Sequence, residues 1–379
     1  MRHYRLAGIL TLSIGLSCLM PASSVAEGPG DLLEQREEQE NQQGENGGGV
    51  AETGSNDISL MESSNPIVNV AAQYTYDQMA ADLDSLQRRY EGRIRIGNYG
   101  TSLDGRALYE VIIGNPEAQK HVLIQAGIHG REYMTPLLVM KQIETALEFG
   151  ETASYRGQPL AYMLDKVQVH FLPMTNPDGV TISQMGLSGL RSEELRQIMI
   201  QGYQRDLEEG RTDIPIENYL PYCKGNGRGV DLNVNFPAAW EQIMSSPGHA
   251  SYMLYKGESP GSEPETEGMM EVVKKHTWSA SISYHSRGEV IYWDYEENKV
   301  RDQSRELAEL FVQSTGYRLL GSDGKGGFKD WMQARENPVP SLTIETGIAE
   351  CPMPVSQWPR VWSRNKTGWA DAIYYAWTH

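Results

Sequence analysis

The sequence predicts an α/β fold built on one main sheet, in a single large domain that begins at about residue 66. Strand-like and helix-like segments alternate from that point to residue 379, which is the pattern of a sheet covered by helices. No internal repeat and no second linker-like stretch interrupts these residues. A hydrophobic fraction of 39% and a charged fraction of 22% in 379 residues suit one large core and an ordinary globular surface.

The elements can be placed from local patterns. Apolar residues at helical spacing predict a helix over Tyr76–Arg89. Thr135 followed by Pro136 predicts an N-cap and first turn for an apolar helix that continues through Leu147 and ends at Gly150. Short apolar runs predict strands at 93–96, 108–113, 122–125, 167–172, 280–283, 290–293 and 341–344.

The charge balance argues against nucleic acid as a partner. Lys and Arg total 33 against 50 Asp and Glu, a net charge of −17, so the chain offers no field that attracts phosphate backbones. Residues 27–65 carry ten of these acidic side chains and one Arg. This stretch is rich in Glu, Gln, Gly and Asn and has no aromatic residue, so we expect a disordered acidic tether.

Residues 1–26 have the composition of an export signal. Arg2 and Arg5 precede an apolar run, and small residues before position 27 favour cleavage after Ala26. A membrane anchor is the alternative, but the run is shorter than the ~20 apolar residues that span a bilayer. We therefore expect an exported protein, extracellular, periplasmic or at the cell wall, with no transmembrane span in its mature form and monomeric.

A possible metal site follows the strand at 122–125. His129 and Glu132 form an H-x-x-E spacing that could direct a nitrogen and a carboxylate to one zinc ion. The spacing alone is weak, because a chain with eight His and 50 acidic residues contains it by chance. Its position at the carboxyl end of a strand strengthens it, since open α/β sheets place their sites there.

Two later residues could complete a catalytic zinc site. A third ligand is required, and His285 ends a strand and enters a turn. A general base is also required, and Glu345 is a carboxylate within an apolar strand, where burial without a role would be costly. The alternative is structural: Glu345 pairs with a buried Arg, and His285 caps a strand.

The remaining histidines have simpler interpretations. His121 opens a strand and His170 packs inside one. His249 and His276 are expected at the surface.

At this point the chain resembles the zinc metallocarboxypeptidase family that contains carboxypeptidase A. The resemblance is carried by ordered motifs that cover nearly all of residues 66–379. These are GNYGTS (97–102), GR (105–106), GIHGRE (127–132), NPDG (176–179), GVDLN (229–233), HS (285–286) and IE (344–345). The family's fold would be one zinc-carboxypeptidase-like domain with a mixed twisted sheet and helices on both faces.

The resemblance implies roles for particular residues. One Zn²⁺ per chain would be bound by His129, Glu132 and His285, with Glu345 as the general base. Lys224 matches the position of the family's transition-state Arg, and it would supply charge without the bidentate contact of Arg. Arg131 and Asn233 match positions that bind substrate.

The chain also departs from the family's digestive members. Val234 replaces an Arg that grips the free C-terminal carboxylate of the substrate, so ordinary C-terminal trimming is in doubt. Lys329, beside Asp330, stands at a position that lines the specificity pocket and would favour an acidic group.

These departures resemble the bacterial branch that cleaves γ-D-glutamyl-diamino-acid bonds in cell-wall peptides. The matching runs are NGRGVDLNVNFP (226–237), YKG (255–257), SEPET (262–266), HSRGE (285–289) and GFKDW (327–331). The implied partner is a cell-wall stem peptide or another peptide, with Ser286, Arg287 and Lys329 as candidate contacts. A solvated turn residue is the alternative interpretation of Arg287.

Two other functions remain open: a conventional carboxypeptidase that trims peptides, and a non-catalytic module that binds wall peptides. Val234 argues against the first and the presence of Glu345 against the second. Cys223 and Cys351 remain after removal of the signal, and we expect them to form a disulfide in an exported protein.

Overall fold

An eight-stranded mixed sheet organises the fold in the computed structural model, which describes residues 56–321 and 324–379. Its strand order is β1-β2-β6-β3-β7-β10-β8-β9. The strands are β1 (Ile94–Thr101), β2 (Ala107–Ile113), β3 (Lys120–Ala126), β6 (Val167–Leu172), β7 (Trp278–His285), β8 (Val290–Asp294), β9 (Arg318–Gly321) and β10 (Ser341–Glu345), and a small hairpin contains β4 (Ser154–Tyr155) and β5 (Gln158–Pro159). The described residues belong to one unit, Gly54–His379.

The four central strands, β6, β3, β7 and β10, are parallel, and β1, β2 and β8 join them through antiparallel pairs. The carboxyl ends of the parallel strands therefore meet at one edge of the sheet. In the register of β7 and β10, His285 lies opposite Glu345. Two residues 60 positions apart in the chain thus become neighbours at that edge.

Helices cover both faces of the sheet, as expected for the predicted fold class. They are α1 (Tyr76–Arg89), α2 (Met134–Phe149), α3 (Leu160–Lys166), α4 (Pro177–Met185), α5 (Glu193–Glu208), α6 (Ile216–Tyr219), α7 (Pro264–Lys274), α8 (Arg301–Thr315), α9 (Phe328–Ala334), α10 (Trp358–Asn365) and α11 (Gly368–Thr378). Alternate residues of β3 show the two layers: Val122 and Ile124 join the larger core with α2 and α11, whereas Leu123 joins a smaller core with α7 and α9.

The predicted elements are recovered with small changes of boundary. The helix at Tyr76–Arg89 is confirmed at both ends. The predicted strands lengthen by one to four residues or remain unchanged, and the first begins at Ile94 rather than at residue 93. The N-cap assignment of Thr135 is wrong, because α2 already begins at Met134. The Thr135 hydroxyl instead donates to the Glu132 carbonyl (2.9 Å) and accepts from the Gly127 amide (3.1 Å), so it braces the loop that carries the candidate ligands.

The predicted tether is too long at its carboxyl end. Residues 56–65 are part of the folded unit, where Asp57 bridges Ser154 and caps a 3-10 turn, Ile58–Leu60. Ile58 is 1% exposed and belongs to the main core. One buried isoleucine in a polar stretch gives too weak a signal for sequence patterns to detect. The predicted signal at 1–26 and the remainder of the tether lie outside the described residues.

No helix in the described ranges has both the length and the apolar character that crossing a bilayer requires.

The contact of Ile58 predicts a stability difference within this short segment. Ile58→Ala should lower the free energy of unfolding by about 2–5 kcal/mol, because it leaves a cavity in the main core. Leu60→Ala is the matched control: Leu60 is 71% exposed, so its truncation should change stability by no more than about 0.5 kcal/mol. Urea unfolding of the full chain measures both, and equal effects would show that the segment does not pack as described.

Candidate active site

His129, Glu132 and His285 come together at the carboxyl ends of β3 and β7. Their ligand atoms all lie within 4.8 Å of one another, and all three side chains are buried. His129 and Glu132 sit on a tight loop after β3, where Gly130–Glu132 forms a 3-10 turn. Gly130 is required there, because a Cβ would lie 2.3 Å from the Gly179 carbonyl oxygen. His285 is the last residue of β7.

The Glu132 carboxylate lies between the two histidines. Its Oε1 is 2.8 Å from His129 Nδ1, and its Oε2 is 3.2 Å from His285 Nδ1. The Ser286 amide donates a third hydrogen bond to Oε2 at 3.1 Å. Two imidazole nitrogens and a carboxylate oxygen therefore converge on one small volume.

Asp231 orients the His129 ring from behind. Its Oδ1 lies 3.2 Å from His129 Nε2, so the ring donates its Nε2 proton to the carboxylate and keeps the Nδ1 lone pair for a ligand. Asp231 is itself held by the amides of Asn233 (3.2 Å) and Leu254 (3.1 Å). Its position is therefore fixed by backbone contacts.

Burial and neighbouring charges shift the pKa values of His129, Glu132 and His285 in opposite directions. Burial would raise the pKa of Glu132, but His129 and His285 hold it well below its usual range. Burial and Lys224 lower the pKa of His129, yet Glu132 and Asp231 outweigh them and raise it. Burial lowers the pKa of His285. An anionic Glu132 and a neutral His285 are in the forms that ligate a metal, and a bound cation would displace the proton that the raised pKa of His129 favours.

The donor set fits zinc. Two histidines and one glutamate are the protein ligands of a class of catalytic zinc sites, which keep a fourth position open. A further observation agrees with a cation at this position: Glu345 Oε2 is buried without a hydrogen-bond partner. His129, Glu132 and His285 are the residues that could hold the ion.

Glu345 is the second carboxylate of the site. It ends β10 beside His285, and burial followed by the negative charge of Glu132 raises its pKa to about 8. Lys224, His129 and Arg131 act in the opposite direction. A carboxyl group with a raised pKa can take and return a proton near neutral pH.

These residues open onto a cleft of about 460 Å³. Its walls include His129, Lys224, Asp231, Asn233, Val234, Tyr292, Lys325, Lys329, Asp330, Thr343 and Glu345. Of the residues expected to contact substrate, Lys224, Asn233 and Lys329 are on these walls. No arginine is among the described residues that line the cleft.

The Lys224 main chain fastens the ligand loop. Its carbonyl accepts hydrogen bonds from the Gly130 amide and from Asn176 Nδ2, both at 3.2 Å. Its amide donates to the Tyr252 carbonyl at 2.6 Å. The side chain is thereby directed along the cleft wall near His129 and Glu345, whose pKa values it affects.

Lys329 and Asp330 form a buried ion pair on the cleft wall, with 2.6 Å between Nζ and Oδ1. Lys329 also donates to the Asp294 carbonyl at 3.0 Å and lies 5.6 Å from the centre of the Tyr295 ring. The sequence predicted that Lys329 would favour an acidic group, and the structure already pairs its ammonium with the Asp330 carboxylate. The wall presents a positive and a negative group side by side.

Three expected substrate contacts lie elsewhere. Arg287 forms an exposed ion pair with Glu350, which keeps its guanidinium off the cleft wall. Ser286 is buried, with its amide on Glu132 and its hydroxyl 3.1 Å from Thr346 Oγ1, so it supports a candidate ligand. Arg131 is also absent from the described cleft lining. Contacts of Ser286 and Arg287 with substrate therefore stay predictions, and neither residue is on the described cleft wall.

The expected disulfide is also wrong, because Cys223 and Cys351 are both free and buried. Their Sγ atoms lie against different carbonyls, of Gly225 (3.7 Å) and of Ser286 (3.6 Å). They also belong to different hydrophobic clusters. Both cysteines are close in sequence to residues of the candidate site, but their side chains pack in different places.

Sequence reasoning missed the role of two charged residues. Asp231 lies in the GVDLN motif but received no role, although a carboxylate behind a ligating histidine is a recurrent feature of zinc sites. His249 was expected at the surface but is buried, 3.0 Å from Asp206 Oδ1. No local pattern in the sequence distinguishes that pair.

Comparisons with known proteins agree with this geometry. The family described as "Zinc carboxypeptidase" matches residues 79–368. Gamma-D-glutamyl-L-diamino acid endopeptidase 1 of Lysinibacillus sphaericus is 27% identical over 299 residues, which are 78% of this chain and 71% of that protein. Carboxypeptidase A2 of Mus musculus is 25% identical over 268 residues, 68% of this chain and 56% of that protein.

Solved structures share the fold. Thrombin activatable fibrinolysis inhibitor has a TM-score of 0.63 at 18% identity and covers 83% of this chain and 78% of its own. Carboxypeptidase A from Helicoverpa armigera has a TM-score of 0.56 at 18% identity, and the match covers 91% of this chain and 81% of that protein's chain.

The contact between Asp231 and His129 predicts a loss of metal affinity. Asp231→Asn should weaken zinc binding about 10- to 100-fold, because the ring loses the carboxylate that fixes its orientation. Titration of the metal-stripped full chain with Zn²⁺ measures the change. Asp206→Asn, at the other buried Asp–His pair, is the control and should leave that affinity unchanged. Equal affinity in both variants would contradict the orienting role.

Proposed function

The chain belongs to the zinc carboxypeptidase family and is therefore a zinc-dependent peptidase, and we propose that it hydrolyses the bond between γ-D-glutamate and a diamino acid in cell-wall stem peptides. The observation that carries this proposal is the charge arrangement of the cleft. Val234 and the arginine-free lining lack the bidentate contact that an Arg would give a terminal carboxylate, whereas Lys329 and Asp330 offer paired opposite charges. The similarity to the Lysinibacillus endopeptidase supports the same substrate class.

We assign the metal to His129, Glu132 and His285. When bound, zinc supplies a Lewis acid that makes water acidic near neutral pH and polarises a carbonyl group. Glu132 compensates the cation's charge, and Ser286 and Asp231 fix the orientation of Glu132 and His129. The protein part of the site thus determines geometry and charge before substrate arrives.

Glu345 is assigned as the general base and acid. Its buried carboxylate takes a proton from the attacking water and returns it to the leaving amine of the diamino acid. Burial and Glu132 raise its pKa, which favours accepting the proton; Lys224 and His129 favour its release. Lys224, on the same wall, supplies positive charge for the oxyanion that develops on the scissile carbonyl.

The substrate's own charges match the far wall of the cleft. The side chain of diaminopimelate ends in an ammonium and a carboxylate on one carbon. Lys329 can bind the carboxylate and Asp330 the ammonium, and each then exchanges part of its ion pair for the substrate. A lysine side chain has only the ammonium group and would leave Lys329 without a new partner.

Conventional C-terminal trimming is the second candidate, favoured by the similarity to carboxypeptidase A2. The cleft argues against it, because the C-terminal carboxylate of a conventional substrate would meet Val234 with no second anchor, whereas diaminopimelate carries a second ammonium and carboxylate for Lys329 and Asp330. A non-catalytic binding module would not need a buried, partnerless carboxylate at Glu345. A cell-wall substrate also agrees with the export signal expected at residues 1–26.

The role of Glu345 predicts a separation of activity from metal binding. Glu345→Gln should lower kcat about 100- to 10,000-fold, because the amide cannot accept the water proton, while zinc content remains unchanged. Activity on L-Ala-γ-D-Glu-diaminopimelate and metal analysis of the same preparation measure the two effects. Glu350→Gln is the control: it breaks the exposed Arg287 pair and should keep full activity. Loss of zinc together with activity in Glu345→Gln would refute this assignment.

The Lys329–Asp330 pair predicts discrimination between diamino acids. Lys329→Met should lower kcat/KM for the diaminopimelate peptide about 10- to 100-fold, the size of one charged hydrogen bond, and affect the matching lysine peptide much less. Lys325→Met, at another lysine of the wall, should not discriminate. Product release from both peptides, followed by mass spectrometry, measures the ratio, and equal losses on the two peptides would rule out the contact.

A further inference from the structure

A second group of metal-ligating side chains lies at the end of β3 that is remote from the cleft. His121 is the second residue of β3, His170 lies within β6, and His276 precedes β7 by two residues. Their ligand atoms all lie within 4.8 Å of one another. In the parallel register of β3 and β6, His121 pairs with Gln168 and His170 with Leu123, which puts both imidazoles on the same face of the sheet.

Glu110 determines which nitrogen of His170 is available. Its Oε1 lies 2.9 Å from His170 Nδ1, so that nitrogen carries the proton and donates it to the carboxylate. His170 Nε2 then carries a lone pair, and it lies 3.0 Å from His121 Nδ1. A carboxylate bonded to the outer nitrogen of a histidine is the arrangement found behind zinc ligands, and Asp231 occupies the same position behind His129.

The distances suit a small divalent ion. Tetrahedral zinc with Zn–N bonds of about 2.0–2.1 Å places its ligand nitrogens roughly 3.3 Å apart. His121 Nδ1 and His170 Nε2 are 3.0 Å apart, joined by the His121 proton. If His121 adopts its other neutral tautomer, its proton lies on its own Nε2. The lone pairs of His121 Nδ1 and His170 Nε2 then face one point, with no change of charge. His276 lies over His121 with ring centres 4.1 Å apart, is half-buried, and has a ring nitrogen within 4.8 Å of those of the other two histidines.

The surroundings favour a metal over a water-filled gap. His121 and His170 are buried at 7% and 0% exposure, and the Trp278 ring packs edge-on against all three imidazoles. The charged groups that face the cluster are Glu110, Lys275 (3.8 Å from Glu110) and Arg95, which donates to Gln168 Oε1 at 2.7 Å. Half-buried His276 leaves an entry path from solvent.

We propose that His121, His170 and His276 form a second transition-metal site, of the class that binds Zn²⁺, separate from the catalytic centre. Three imidazoles select borderline transition-metal ions, whereas Ca²⁺ and Mg²⁺ require oxygen ligands. Bound metal ties the segment between α7 and β7 to β3 and β6. The site therefore stabilises the end of the sheet opposite the cleft and takes no part in hydrolysis.

Zinc titration of the metal-stripped full chain tests the proposal. Wild type should bind two Zn²⁺ ions. His285→Ala should lose the catalytic ion and still bind one Zn²⁺ at the His121 cluster. His276→Ala should lose the ion of that cluster and still bind one Zn²⁺ at the catalytic site. The double variant should bind neither ion with comparable affinity, because each site has then lost one of its three ligands. His249→Ala, which removes a buried histidine outside both clusters, should still bind two.

Thermal unfolding supplies a readout that does not depend on activity. Zn²⁺ should raise the Tm of His285→Ala but not that of His285→Ala/His276→Ala, because a ligand stabilises only a fold that contains its site. His276 is half-buried, so its removal should leave the fold intact. The proposal is overturned if His285→Ala binds no zinc, or if the double variant binds zinc and gains Tm as His285→Ala does.

Discussion

The active site depends on one buried carboxylate, Glu132, held between two histidines. Burying a carboxylate is costly unless it is paired, and this one lies close enough to Glu345 to raise the pKa of that second carboxyl group. A cation held among the converging ligand atoms would compensate the charge of these two neighbouring buried acids. The remaining local structure serves that arrangement: Thr135 braces the ligand loop, Ser286 donates to Glu132, and the parallel register sets His285 beside Glu345.

In the proposed function, the cleft directs this common zinc chemistry toward a particular substrate. Val234 offers no charge to the carboxylate of an ordinary peptide end, and Lys329 against Asp330 would bind a zwitterion. The ion pair compensates the charge of both buried groups in the free enzyme, whereas a lone buried lysine would have no such compensation. Specificity would then come from exchanging one ion pair for another, with little change in net charge.

Sequence patterns predicted what is local and missed what depends on pairing across the chain. The helix at Tyr76–Arg89 and strand β6 match at both ends, because periodicity and apolar runs are properties of contiguous residues. The zinc candidates could be found because residues at the carboxyl ends of parallel strands must meet. Their arrangement with Asp231, the ion pair of Arg287 with Glu350 and the separation of the two cysteines follow from loop packing that no spacing encodes. The His121 cluster depends on the register of β3 and β6 and was equally invisible.

The most direct test of the account compares two substrates with the zinc-loaded full chain. One is L-Ala-γ-D-Glu-diaminopimelate, and the other is a conventional peptide with a hydrophobic C-terminal residue; mass spectrometry identifies the products. The account predicts release of diaminopimelate, abolished by chelator, and little or no trimming of the conventional peptide. Efficient trimming of the conventional peptide with the wall peptide left intact would contradict it.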